Sequence, residues 1–281
     1  MRWTPGGRSD DIEDRRDEDG GGGIGGVHIG IGGFVILLIL SVVFKRDFFS
    51  LLSNTGVSTG QTVSQPDTQR DAREEPLVQF ISFVLDDTQK TWAGILQARG
   101  IPYRHAKLVL FRDATSSGCG TAQSATGPFY CPADEKVYID LGFYDELQRR
   151  FGAPGQFAQA YVLAHELGHH VQNLLGIERK VRSLQGQNPG AGNALSVRME
   201  LQADCFAGIW AKSTQQRNLL EAGDVESALG AAAAVGDDRL QRMSRGQVSP
   251  DSFTHGSSAQ RTEWFQRGMS GGAIEGCNTF Q

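Results

Sequence analysis

Residues 164–172 read AHELGHHVQ. The fold turns on whether the two spaced histidines and the glutamate form one face of a helix. On an α-helix, side chains four apart stand one above the other, so His165 and His169 can reach a single metal ion together. Glu166 sits one position round, beside the metal rather than on it, where a carboxylate takes a proton from a zinc-bound water. This reading makes two demands. The string must lie within a helix, and a third protein ligand must exist, because catalytic zinc takes three and leaves the fourth position to water.

The flanking sequence meets the first demand. After Pro154 the chain runs GQFAQAYVLAHELGHHVQNLLG, with apolar or small residues at Ala160, Leu163, Ala164, Leu167, Val171 and Leu174. That three-to-four-residue repeat predicts a helix opened by Pro154 and closed by Gly176. Gly168 inside it costs roughly 1 kcal/mol against alanine, which points to close packing by another segment.

The third ligand does not follow directly. Gln172 and Leu175 stand where a contiguous H-E-x-x-H-x-x-G-x-x-H pattern would put its glycine and third histidine. A glutamate on a second helix is the other solution, and VRMELQADCFAGIWA offers Glu200. Asp204, four residues on, shares its face and can accept a hydrogen bond from the far nitrogen of a ligand histidine, fixing its tautomer. The competing reading is an exposed acidic pair, against which stand Ala203, Phe206, Ala207 and Trp210.

AHELGHHVQ, followed by ELQADCFAGIWA and SFTHGSSAQRTEWFQRG, resembles the putative neutral zinc metallopeptidase family, as do the N-terminal MRWTPGGRSDDIEDRR and GTAQSATGPFYCPADEKVYIDLGFYDEL. The resemblance covers nearly the whole chain. It implies His165, His169 and Glu200 as zinc ligands, Glu166 as general base and a single-pass membrane protein; it says little about substrate.

At 281 residues with 39% hydrophobic content the chain can bury one good-sized domain plus appendages, and a net charge of −5 argues against a nucleic-acid partner. Residues 1–23, rich in Arg, Asp, Glu and Gly, read as a disordered tail. Gly20 through Phe44 carries no Asp, Glu, Lys or Arg and ends in FVILLILSVVF, so 24–46 is read as a transmembrane anchor; a cleaved signal peptide is the alternative, disfavoured by Lys45 and Arg46 directly after. Arg2, Arg8, Arg15 and Arg16 outnumber the cations beyond it, which orients the amino end to the cytoplasm and the catalytic domain outside. Residues 47–76, mostly Ser, Thr, Gln, Gly and Asp, read as a flexible linker, and 77–281 as the zinc domain.

Four cysteines suit an oxidising compartment and two bridges, Cys119–Cys131 and Cys205–Cys277, against four free thiols. AKLVLF and KVYID read as strands, and 77–100, 142–152, 178–186, 193–212, 223–243 and 258–268 as helical. The expected fold is therefore α+β, mainly helical: a zincin-like, gluzincin-like domain with a small sheet and an HExxH helix, preceded by one transmembrane helix. KVYID is the candidate edge along which a peptide substrate would lie.

The function that follows is a membrane-anchored zinc endopeptidase. Its alternatives are a non-catalytic membrane-tethered binding protein with a structural zinc, and an interaction protein whose motif is accidental. His255, in the Gly/Ser-rich loop THGSS, is the candidate donor to the developing oxyanion, with Tyr130 and Tyr138 as substitutes. Substrate identity and oligomeric state leave no mark in the sequence.

Overall fold

KLVLF and KVYID are apolar on both faces, the pattern of strands covered on two sides, and both occupy the middle of a sheet. The computed structural model describes residues 1–17 and 68–280. Its strands are β1 (Ile12–Asp14), β2 (Lys107–Phe111), β3 (Ala114–Ser117), β4 (Gly120–Gln123), β5 (Phe129–Cys131) and β6 (Lys136–Asp140). Its helices are α1 (Thr68–Gln97), α2 (Gly142–Arg149), α3 (Gln156–Leu174), α4 (Ile177–Gln187), α5 (Gly192–Gln216), α6 (Asp224–Ala234), α7 (Asp237–Arg245) and α8 (Ser258–Gly271).

The main sheet runs β1-β2-β6-β5, and β3 and β4 form a separate hairpin. β1, β2 and β6 are parallel, while β5 returns antiparallel on β6 with Tyr130 opposite Val137. KVYID is thus paired on both sides and has no free edge for a substrate; the edge strands are β1 and β5. Leu108, Leu110, Val137 and Ile139 join the core formed by Phe157, Tyr161, Leu163 and Leu167 of α3 and by Trp210 of α5, whose ring stacks on Phe157 at 5.6 Å. Cys119–Cys131 and Cys205–Cys277 are both bridged. The first ties the β3–β4 hairpin to β5, and the second ties the carboxyl end to α5.

The mainly helical α+β class with a small sheet is as expected, but the appendages are not. Residues 1–17 are no disordered tail. Met1 is buried with its amine 3.0 Å from Asp224, Ile12 to Asp14 form β1, and Arg16 is sealed in with its side chain 2% exposed. Arg16 pairs with Asp14 at 2.7 Å and Glu74 at 2.8 Å, Arg112 adds a 2.8 Å contact to Glu74, and Arg8 spans Asp14 and Glu75. Composition counted these charges as unburiable; complementary charges elsewhere in the chain make them part of the fold.

The same network corrects the linker. Asp71, Glu74 and Glu75 lie in the first turns of α1, which starts at Thr68 and runs through Pro76, so the stretch 68–76 is helix. The helix read over 223–243 is two, α6 and α7, broken at Gly236, where the backbone of Ser258 passes 2.4 Å from the place a Cβ would take.

Among the described residues no helix is long and apolar enough to cross a membrane. The span read over 24–46 lies outside the described residues, but its topology fails on the sheet. β1 precedes that stretch and β2 follows it, yet Ile12 pairs with Leu108 and Glu13 with Val109. A single crossing between them would place two hydrogen-bonded strands on opposite sides of a bilayer. The single-pass anchor and a catalytic domain held outside the cytoplasm by it are therefore overturned.

Candidate metal centre

Gly168 has a packing role. A Cβ there would stand 3.0 Å from the Ala203 carbonyl oxygen and 3.2 Å from its Cα, so α5 crosses α3 backbone to backbone at the HExxH turn. One turn earlier on α5, that crossing delivers Glu200 to the histidines. His165 Nε2 lies 3.1 Å from Glu200 Oε2, and His169 Nε2 lies 3.4 Å from Glu200 Oε1. One donor atom from each of the three falls within 4.8 Å of the others, the only such trio of His, Cys, Asp or Glu among the described residues. Two imidazole nitrogens and a carboxylate oxygen, facing inward on rigid helices, are a donor set that fits zinc.

The far nitrogens of both histidines are engaged. His165 Nδ1 lies 2.9 Å from Asp204 Oδ1, as the i, i+4 spacing from Glu200 suggested. His169 Nδ1 lies 2.8 Å from the side-chain oxygen of Gln172, whose amide nitrogen donates to Met199 O and Gln202 Oε1. That amide orientation makes the Gln172 oxygen an acceptor, so His169 donates through Nδ1 and presents the Nε2 lone pair to the metal position. Gln172 was visible in the sequence only as a departure from the contiguous motif.

Arg261, on α8, was missed altogether. It is 3% exposed and its Nε donates to Asp204 Oδ2 at 2.9 Å. Burial works against charge on every member of this group, and the partners reverse it. The two histidines hold the Glu200 carboxyl well below the usual carboxylate range, and Asp204, with Glu200, pushes His165 up to about 10.

These residues open on a cavity of about 580 Å³ that Glu166 and His255 also line. No described group hydrogen-bonds to the Glu166 carboxylate. His255 is half exposed, and Asp237 aims it: one Asp237 oxygen accepts the backbone N–H groups of Thr254, His255 and Gly256, and the other lies 3.2 Å from His255 Nδ1. Tyr130 also faces the cavity, but its proton is committed. His170 Nε2 donates to Arg104 O at 2.6 Å, so His170 Nδ1 is the acceptor for the Tyr130 hydroxyl at 3.0 Å. Tyr138 donates to Asp134, away from the cavity. His255 keeps one ring nitrogen, Nε2, without a hydrogen-bond partner among the described residues.

The sequence profile described as putative neutral zinc metallopeptidase matches residues 1–280. The uncharacterized protein YpfJ of Escherichia coli (strain K12) is 51% identical over 287 residues, spanning 100% of this chain and 99% of that protein. The uncharacterized protein Rv2575 of Mycobacterium tuberculosis (strain ATCC 25618 / H37Rv) is 46% identical over 189 residues, 63% of each chain. No solved structure matches.

Proposed function

The chain belongs to the putative neutral zinc metallopeptidase family, and from that premise we propose that it hydrolyses peptide bonds, with His165, His169 and Glu200 holding the zinc, Glu166 as general base and His255 as oxyanion donor. The observation that carries this is the placement of Glu166: it adjoins the three donors in the cavity, outside the trio, with its carboxylate uncommitted. A purely structural zinc site has no need of such a carboxylate. Zinc, when bound, supplies a Lewis acid that polarises the scissile carbonyl and brings the pKa of water towards neutrality.

Glu166 takes the proton of the attacking water as its oxygen bonds to the carbonyl carbon, and delivers it to the amine nitrogen as the C–N bond breaks. Asp237 holds the His255 ring through Nδ1 and raises its pKa, so His255 faces the growing negative charge on the carbonyl oxygen as an imidazolium that donates through Nε2. The substrate lies extended along β5, the edge strand on the cavity side, whose Phe129 and Tyr130 line the cavity. Phe143, Phe151, Val162 and Leu240 also line the cavity, which suits it to a substrate with a large apolar side chain.

The test compares wild type with Glu166→Gln for bound zinc and for cleavage of a mixed peptide library read by mass spectrometry. The variant is expected to retain zinc and fold while losing nearly all cleavage. Equal cleavage by both proteins would rule out Glu166 as the base.

A further inference from the structure

We propose that Arg261 is a positioning residue of the metal centre, acting through Asp204 to hold His165 in its ligating orientation; the proposal rests on the reading that His165, His169 and Glu200 bind zinc. Asp204 is fully buried, and the hydrogen bonds to its carboxylate come from three side chains. Oδ1 meets His165 Nδ1 at 2.9 Å, Arg261 Nη2 at 3.0 Å and the Tyr161 hydroxyl; Oδ2 meets Arg261 Nε at 2.9 Å. The guanidinium therefore grips the carboxylate on both oxygens, which sets its plane. A lysine ammonium is a point donor and cannot set that plane.

Arg261 borders the cavity, so a direct role with substrate has to be weighed. Each of its nitrogens is already engaged: Nε and Nη2 on Asp204, Nη2 also on Tyr161 at 3.3 Å and against the two ring nitrogens of His165 at 3.3 and 3.4 Å, and Nη1 on the Val235 carbonyl at 3.4 Å. Glu200 Oε2 is 3.9 Å away, beyond hydrogen-bond reach. A side chain 3% exposed with every arm engaged holds the protein's own groups rather than a ligand.

The fold is built to keep it there. α8 crosses α5 with backbones touching: a Cβ on Gly268 would stand 1.9 Å from the Cys205 carbonyl oxygen, and one on Gly208 2.1 Å from that of Phe265. Two turns before Gly268 on α8 comes Arg261, and one turn before Gly208 on α5 comes Asp204. Next to Asp204, Cys205 is bridged to Cys277 just beyond α8. The carboxyl-terminal helix is thus part of the metal site's support.

The sign of the effect separates positioning from plain charge. A guanidinium this close to a dication repels it, so charge alone predicts tighter zinc when Arg261 is removed. Positioning predicts weaker zinc, by roughly the 10–100-fold usual for an outer partner of a ligand histidine.

The experiment measures zinc affinity by chelator competition, with the absorption spectrum of the cobalt-substituted protein, for full-length wild type, Arg261→Met, Arg261→Lys, Asp204→Asn and the double variant Asp204→Asn/Arg261→Met. Arg261→Met is expected to bind zinc about 10–100-fold more weakly with an altered cobalt spectrum. The same substitution is expected to add almost nothing in the Asp204→Asn background, because the two act as one unit. Equal losses in the two backgrounds, or tighter zinc in Arg261→Met, would overturn the proposal. Should Arg261→Met fail to fold, Arg261→Lys carries the test, and wild-type affinity with an unchanged cobalt spectrum there would be equally fatal. Undiminished zinc in His169→Ala would instead remove the ligand assignment, and the proposal with it.

Discussion

Gly168 of α3 and Ala203 of α5 are in backbone contact, with 3.0 Å between the place of a Gly168 Cβ and the Ala203 carbonyl oxygen. Two of the three donors ride on one of these helices and the third on the other, so this one contact sets the span of the site. In Gly168→Val the added branch must push α5 away. The expected result is a loss of about 1–3 kcal/mol from overpacking, outweighing any gain in helix propensity, together with weakened zinc. Thermal unfolding with and without zinc checks it; a variant as stable as wild type with full zinc affinity would show the contact to be incidental.

Ligand and supporting residues are expected to separate by magnitude. Glu200→Ala removes a donor and should abolish tight zinc. Asp204→Asn and Gln172→Leu each loosen one histidine and should cost roughly 10–100-fold in affinity. Chelator competition distinguishes the two levels, and tight zinc in Glu200→Ala would discard Glu200 as the third ligand.

His255→Ala is expected to leave zinc content and melting temperature nearly unchanged while lowering kcat by roughly 10²–10³ with little change in KM. Asp237→Ala, which releases the loop carrying His255, should also lower kcat. Loss of zinc or fold in His255→Ala would make the residue structural, and wild-type turnover would dismiss it from the chemistry.

Both bridges should stabilise through the loops they close. A separation of 12 residues corresponds to about 3 kcal/mol and one of 72 to about 4 kcal/mol. Replacing Cys119 and Cys131 by serine should lower stability by the smaller amount. Replacing Cys205 and Cys277 should lower it by the larger and weaken zinc as well, since Cys205 adjoins Asp204. Denaturant unfolding of the two double variants tests the order.

The amino-terminal segment is expected to matter for folding. Arg16→Met leaves Asp14 and Glu74 without their shared buried partner; these acids are partly solvated, so the penalty should be about 1–3 kcal/mol rather than that of a fully buried pair. A fragment beginning at Leu77 lacks β1 and the start of α1 and should unfold at lower temperature than the full chain. Equal melting temperatures would show the β1–β2 pairing to be dispensable.

What the sequence determined by itself was local or periodic. The i, i+4 spacing of His165 and His169, the same spacing of Glu200 and Asp204, the apolar repeat around them and the β-branched runs of β2 and β6 each follow from geometry within one element. Hence the zinc helix, the second helix and the α+β class were legible, down to the close approach at Gly168. Tertiary structure decided whatever depends on two distant segments meeting. Arg261 reads as an ordinary helical cation until α8 crosses α5 and lays it on a buried carboxylate. Residues 1–17 read as an unburiable tail until their arginines meet Asp71, Glu74 and Glu75, and that meeting also removes the single-pass topology. KVYID looked like an edge because its pattern shows which faces are covered and not which strands flank it. Charge complementarity and strand neighbours are properties of pairs far apart in the chain, and periodicity within one segment carries no information about them.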